Sequence, residues 1–127
     1  MKSVILLVDD NLIQAATRKA VLERTGQAVL VASDGQTAIE MLTSLDSPLD
    51  IGLVVTDHLM PGMSGLDLVM EIRQRGYSLP IIVLSGLPDA ETAYDDLRVT
   101  FRLKPFPPDS LIALTRQLLA ERMPRTA

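Results

Sequence analysis

An α/β fold, five βα units wound around a five-stranded parallel sheet, is predicted by three observations. Five short runs rich in Val, Ile and Leu recur along the chain, at residues 4–8, 28–32, 51–56, 79–84 and, more weakly, 100–103. They lack polar alternation, which suits strands buried on both faces. Between them apolar residues take helical spacing, and Gly, Asp, Ser and Pro fall where helices begin and end. With right-handed crossovers this order gives a doubly wound sheet covered on both sides, whose ligands belong beyond the carboxyl ends of the strands.

The elements follow in order. The first run, Val4-Ile5-Leu6-Leu7-Val8, leads straight into Asp9-Asp10. A helix closed by Gly26 separates it from the second run, after which Asp34-Gly35 opens a helix with Ala38, Met41, Leu42 and Leu45 on one stripe. The third run ends in Asp57, and Ser64-Gly65 opens a helix carrying Leu66, Val69 and Met70 and followed by Gly76. Pro80 stands near the start of the fourth run. A final helix from about Pro108 carries Leu111, Leu114 and Leu118, with proline tolerated in its first turn.

The 127 residues suit one domain, expected over 1–122 with a short tail at 123–127 and no attached output domain. With Lys+Arg 12 against Asp+Glu 16, the net charge of -4 offers no footprint for a nucleic-acid backbone. Direct nucleic-acid binding is not expected. The chain has no cysteine, which excludes disulfides, thiolate metal sites and thiol catalysis. Apolar runs are too short for a membrane span or a signal peptide, so a cytoplasmic location is expected.

If the first and third runs are neighbouring strands, Asp9, Asp10 and Asp57 converge at one sheet end, where their repulsion is costly unless a cation sits among them. Ser85 and Lys104 fall at the ends of the fourth and fifth runs. Mg²⁺ suits such a place, since it takes oxygen ligands from one or two carboxylates, waters and a phosphate. A carboxylate can attack phosphorus, with metal and lysine neutralising the transferring group, and a serine hydroxyl can donate to a phosphoryl oxygen. Taken singly, Asp10 reads as a helix cap, Asp57 as a turn residue, Ser85 as a loop hydroxyl and Lys104 as a solvated charge. Their coincidence at matched strand ends argues for a site. His58, the only histidine, reads as a rim residue, and Met60 and Met63 as loop packing.

Over nearly its whole length the sequence closely resembles the receiver domain of two-component response regulators. The matching pieces are Asp9-Asp10, Asp57 with Met60-Pro61-Gly62-Met63-Ser64-Gly65, Ser85-Gly86, and Lys104-Pro105-Phe106. The resemblance implies a flavodoxin-like strand order 2-1-3-4-5. It also implies that Asp57 is the phosphoacceptor, that Asp9, Asp10, Asp57 and the Leu59 backbone carbonyl hold Mg²⁺, and that Ser85 and Lys104 bind the phosphoryl group. Ser85 and Phe101 are then the switch pair, and Pro105 a cis-proline candidate. The implied function is Mg²⁺-dependent phosphorylation of Asp57 by a histidine kinase or histidine phosphotransfer protein in a phosphorelay, changing a surface for a downstream protein. The domain would be no enzyme, though it assists transfer to its own aspartate. The wording of 60–65 and 85–89 also resembles receivers fused to hybrid sensor kinases.

Two departures stand out. Leu97-Arg98 replaces a usual Gly-Ala, and the stretch from Ser85 to Lys104 is a few residues short, so a short or irregular fourth helix is expected. Leu59 and Leu87 are apolar where many receivers are polar. The alternatives are an Mg²⁺-dependent aspartate-based phosphohydrolase acting on an external substrate, and a pseudo-receiver that only binds partners.

Overall fold

Why these runs become strands is visible in their two-sided burial. In the computed structural model, which describes residues 3–44 and 50–122, β1 (Ser3–Val8), β2 (Ala28–Ala32), β3 (Asp50–Asp57), β4 (Ile81–Ser85) and β5 (Thr100–Leu103) form one parallel sheet in the order β2-β1-β3-β4-β5. Successive side chains point to opposite faces, so each strand feeds two cores. Leu6, Val8, Val54, Ile81 and Val83 belong to one. Ile5, Leu7, Leu53, Val55, Ile82 and Leu84 belong to the other. Each such side chain contributes roughly 1.5–3 kcal/mol on burial, which no half-exposed strand could match.

Helices α1 (Leu12–Glu23) and α4 (Pro108–Arg122) cover the second core, through Leu22 and Leu111. Helices α2 (Gly35–Thr43) and α3 (Gly65–Gln74) cover the first, through Ala38, Ile39, Leu68, Val69 and Ile72. The buried stripe of α3 is therefore Gly65, Leu68, Val69 and Ile72, not the expected Leu66, Val69 and Met70; Met70 is exposed. Positions i, i+3, i+4 and i+7 share that face, and Gly65 must begin it because a Cβ there would collide with the Asp57 carbonyl. Leu45 and residues 123–127 lie outside the described residues.

Side chains fix the helix starts. The Asn11 carboxamide accepts from the Gln14 amide at 2.9 Å, Asp34 accepts from Thr37 at 2.7 Å, and Ser64 and Asp67 form a reciprocal capping box. Asn11, not Asp10, is thus the cap of α1, which leaves Asp10 outside the helix. The fourth strand begins at Ile81, because Leu79 gives its carbonyl to Arg73 and Pro80 has no amide hydrogen for a ladder.

The fourth crossover is where the fold departs from five α-helices. Pro88–Tyr94 forms a 3-10 segment, after which Asp96 and Arg98 take left-handed conformations at φ 69° and 57°. A short connection must turn sharply, and two non-glycine residues absorb the turn at some cost. Arg73 of α3 holds it in place. Its guanidinium donates to the carbonyls of Leu97 at 2.8 Å, Arg98 at 3.0 Å, Tyr77 at 3.0 Å and Leu79 at 2.9 Å. Arg73→Ala should lower stability by about 2 kcal/mol, and Arg73→Lys should recover less than half of that because an ammonium cannot span four carbonyls. Urea unfolding of the three proteins measures this.

Candidate functional site

Strand register assembles the site. Val8 pairs with Thr56, so Asp9 and Asp57 are the next residues on adjacent strands. By the alternation of side chains they continue the rows Ile5-Leu7 and Leu53-Val55, toward α1 and α4. Both carboxylates are buried, at 0% and 2% exposure. Asp10 follows at the exposed rim, and one carboxylate oxygen from each of the three lies within 4.8 Å of the others. Ser85 pairs with Leu103, which brings Lys104 one residue beyond, and the Lys104 amide donates to the Ser85 carbonyl at 2.8 Å. The Lys104 ammonium lies 2.8 Å from Asp57 Oδ1.

A second cation, not foreseen from the sequence, enters from α1. Arg18 Nη1 donates to the same Asp57 Oδ1 at 2.8 Å and to Asp9 Oδ2 at 3.1 Å. Gln14, one turn earlier, satisfies both neighbours when its amide is assigned with the nitrogen toward Asp9, donating to Asp9 Oδ2 at 3.1 Å and accepting from Arg18 Nη2 at 3.3 Å. The signal was present in helical spacing: Arg18 stands between Ala15 and Leu22, the buried residues of α1, on a face where an arginine needs an acidic partner.

Burial and the neighbouring Asp57 charge push the Asp9 carboxyl up from 3.8 to about 6, burial being the larger cause, against the opposing pull of the Asn11 amide and Arg18. An all-carboxylate donor set under such repulsion fits a hard divalent ion such as Mg²⁺, which takes oxygen ligands.

Around this centre the other expected residues take distinct places. Ser85, 2% exposed, accepts from the Leu87 amide at 2.9 Å and lies 3.4 Å from the Leu87 carbonyl. Leu59 and Leu87 are exposed at the rim. The Lys104-Pro105 peptide is cis. Phe101 is buried against the ring of Tyr94 at 5.8 Å. Tyr94 in turn lies 2.6 Å from His58 Nδ1 through its hydroxyl, a contact no sequence pattern announced. Burial holds that phenol protonated, so it can donate to the imidazole. His58 is therefore tied into the domain, its amide donating to Leu84 and its carbonyl accepting from Gly65. Met60 is buried in the first core, with Met63 packed against it.

A parallel α/β module with three carboxylates and a lysine at its carboxyl edge defines a class of proteins able to hold a divalent ion and a phosphoryl group there. Residues 5–116 match the family described as the response regulator receiver domain, and the chain belongs to that family. It is 36% identical over 132 residues to the alkaline phosphatase synthesis transcriptional regulatory protein SphR of Synechococcus elongatus, covering 92% of this chain and 49% of that protein. It is 33% identical over 116 residues to the transcriptional regulatory protein FixJ of Azorhizobium caulinodans, covering 89% and 53%. The chain thus spans about half the length of these curated relatives. A receiver domain structure from Clostridium thermocellum superposes with a TM-score of 0.84 at 27% identity, covering 94% of this chain and 96% of that one. The chain is a receiver domain of the two-component response regulators, and this favours a signalling role over a phosphohydrolase. No helix among the described residues is long and apolar enough to cross a membrane.

The Asp9 shift has a sign that can be measured. Its folded carboxyl binds a proton more tightly than the unfolded one, so this group's contribution to stability falls as pH rises from about 4 to about 6 and stays lost above. In EDTA at pH 7, Asp9→Asn should therefore stabilise the domain, by roughly 1–3 kcal/mol, while keeping an oxygen for the Asn11 amide. The gain should fade as pH falls toward 4. Thermal unfolding of both proteins from pH 4 to 8 checks it.

Proposed function

We propose that Asp57 accepts a phosphoryl group from the phosphohistidine of a histidine kinase or histidine phosphotransfer protein. The observation that carries this reading is the Asp57 carboxylate itself, buried at the strand ends and centred among Asp9, Asp10 and Lys104. A carboxylate oxygen of Asp57 attacks phosphorus, the P–N bond breaks, and its electron pair leaves on the imidazole nitrogen, which is protonated. Lys104, already 2.8 Å from Asp57, stays close enough to neutralise the equatorial oxygens. Asp9, Asp10, Asp57 and the Leu59 carbonyl would hold Mg²⁺, which when bound supplies further charge neutralisation and orients the donor phosphate. The domain assists transfer to its own side chain and turns over no external substrate.

The output follows from Ser85 and Phe101. Once Asp57 carries phosphoryl oxygens, the Ser85 hydroxyl gains a partner stronger than the Leu87 backbone and moves toward it, and Phe101 adjusts against Tyr94. The changed surface near Phe101 is offered to a downstream protein. We assign residues 1–122 to the receiver unit and a cytoplasmic setting to this relay.

Acetyl phosphate with Mg²⁺ should label the protein once, on Asp57, and Asp57→Asn should remain unlabelled. Intact-mass and peptide mass spectrometry decide this, and equal labelling of the variant would remove the reading. Leu59 and Leu87 have no side-chain group to orient an attacking water, so the aspartyl phosphate should decay slowly. Leu59→Asn combined with Leu87→Glu should speed decay severalfold, followed by loss of the added mass over time.

A further inference from the structure

We propose that Arg18 is a displaceable internal counter-cation that occupies the Asp9–Asp57 notch and competes with Mg²⁺ for it, setting how much of the ion the domain requires. The inference rests on the reading of the three carboxylates as the Mg²⁺ site. A single nitrogen, Nη1, reaches both buried carboxylates, at 3.1 and 2.8 Å. Arg18 holds one oxygen of each carboxylate, Asp9 Oδ2 and Asp57 Oδ1, so an ion drawing on Asp9 and Asp57 would have to settle against a cation already seated between them. Two cations in so confined a notch repel each other, so each weakens the other's hold.

Charge balance makes the competition consequential. With Lys104 already on Asp57, Arg18 brings the positive charges to two against three carboxylates, so much of the repulsion that would draw a divalent ion is relieved without one. Unlike lysine or histidine, arginine cannot stand aside by losing its proton, so it must move. Gln14 holds the guanidinium from the helix side, and the side chain is only 14% exposed, so the seated position is built rather than incidental.

There is also somewhere to move. A groove of about 490 Å³ lies between α1 and α4, with Arg18, Lys104, Thr17, Val21, Phe106 and Leu111 among its lining residues. The aliphatic stem of Arg18 can lie on that apolar wall while the guanidinium reaches water. Binding of Mg²⁺ is then coupled to withdrawal of Arg18, and the apparent affinity is reduced by the fraction of molecules in which the notch is open.

The test is a Mg²⁺ titration of the full chain and of Arg18→Leu, followed by calorimetry and by NMR, with Asp10→Asn as control. If the notch is open about one tenth of the time or less in the parent, the variant should bind Mg²⁺ about tenfold tighter or more. Arg18→Leu should also melt lower than the parent in EDTA, and millimolar Mg²⁺ should raise its melting temperature further than the parent's. Arg18→Gln, uncharged but polar, serves in the same titration should the leucine variant fail to fold. Equal or weaker Mg²⁺ binding by the folded variant overturns the role of Arg18 while leaving the metal site standing. Absence of Mg²⁺ binding in parent and variant alike overturns both the role and the site.

Discussion

Three carboxylates at the end of two adjacent buried strands repel one another, and the surrounding structure is arranged around that repulsion. The register that pairs Val8 with Thr56 makes it unavoidable, because it brings Asp9 and Asp57 level on one face of the sheet. Apolar rows beneath them, Ile5-Leu7 and Leu53-Val55, prevent either aspartate from retreating into water without disturbing the core. What relieves the strain comes from other elements: an ammonium from the end of β5 and a guanidinium from α1. Burial, with that repulsion added to it, keeps Asp9 reluctant to ionise. A binding site for positive charge and a cost to the empty fold are therefore one fact seen from two sides.

The far side of the sheet answers a different demand. A short connection from β4 to β5 leaves no room for a full α-helix, and the chain resolves this with a 3-10 segment and two left-handed residues. Tyr94 compensates by filling the first core and by meeting both His58 and Phe101. The region usually devoted to a helix is here organised around one phenol, whose contacts run from the residue after Asp57 to the fifth strand.

Most of the fold was legible in the sequence because it depends on period and punctuation. Residues 28–32 and 100–103 became strands within the expected limits, and Asp34 and Ser64 cap the helices they precede. The stripe of α3 was misread, since Leu66, Val69 and Met70 fit helical spacing as well as Gly65, Leu68, Val69 and Ile72 do; only contact with the sheet chooses between them. At the site, the residues at strand ends could be named because topology brings strand ends together. Arg18 and Tyr94 could not, for they act from the middle of α1 and from the end of an irregular segment, where no topological rule says what a long side chain will reach. An arginine set between Ala15 and Leu22 was a legible anomaly, but its partners are thirty-nine residues away in the case of Asp57.

The four-carbonyl grip of Arg73 gives the irregular crossover the mechanics of a beam clamped at one end. Residues 97 and 98 are bolted to α3 at the amino edge of the sheet, whereas Leu87 is held at the opposite edge by the Ser85 hydroxyl and the Ala90 amide. A clamped beam deflects most at its free tip. Whatever pulls on Ser85 should thus tilt the segment about Arg73 as a fulcrum, so that displacement shrinks from Leu87 toward Arg98 and reaches Phe101 through Tyr94 along the way.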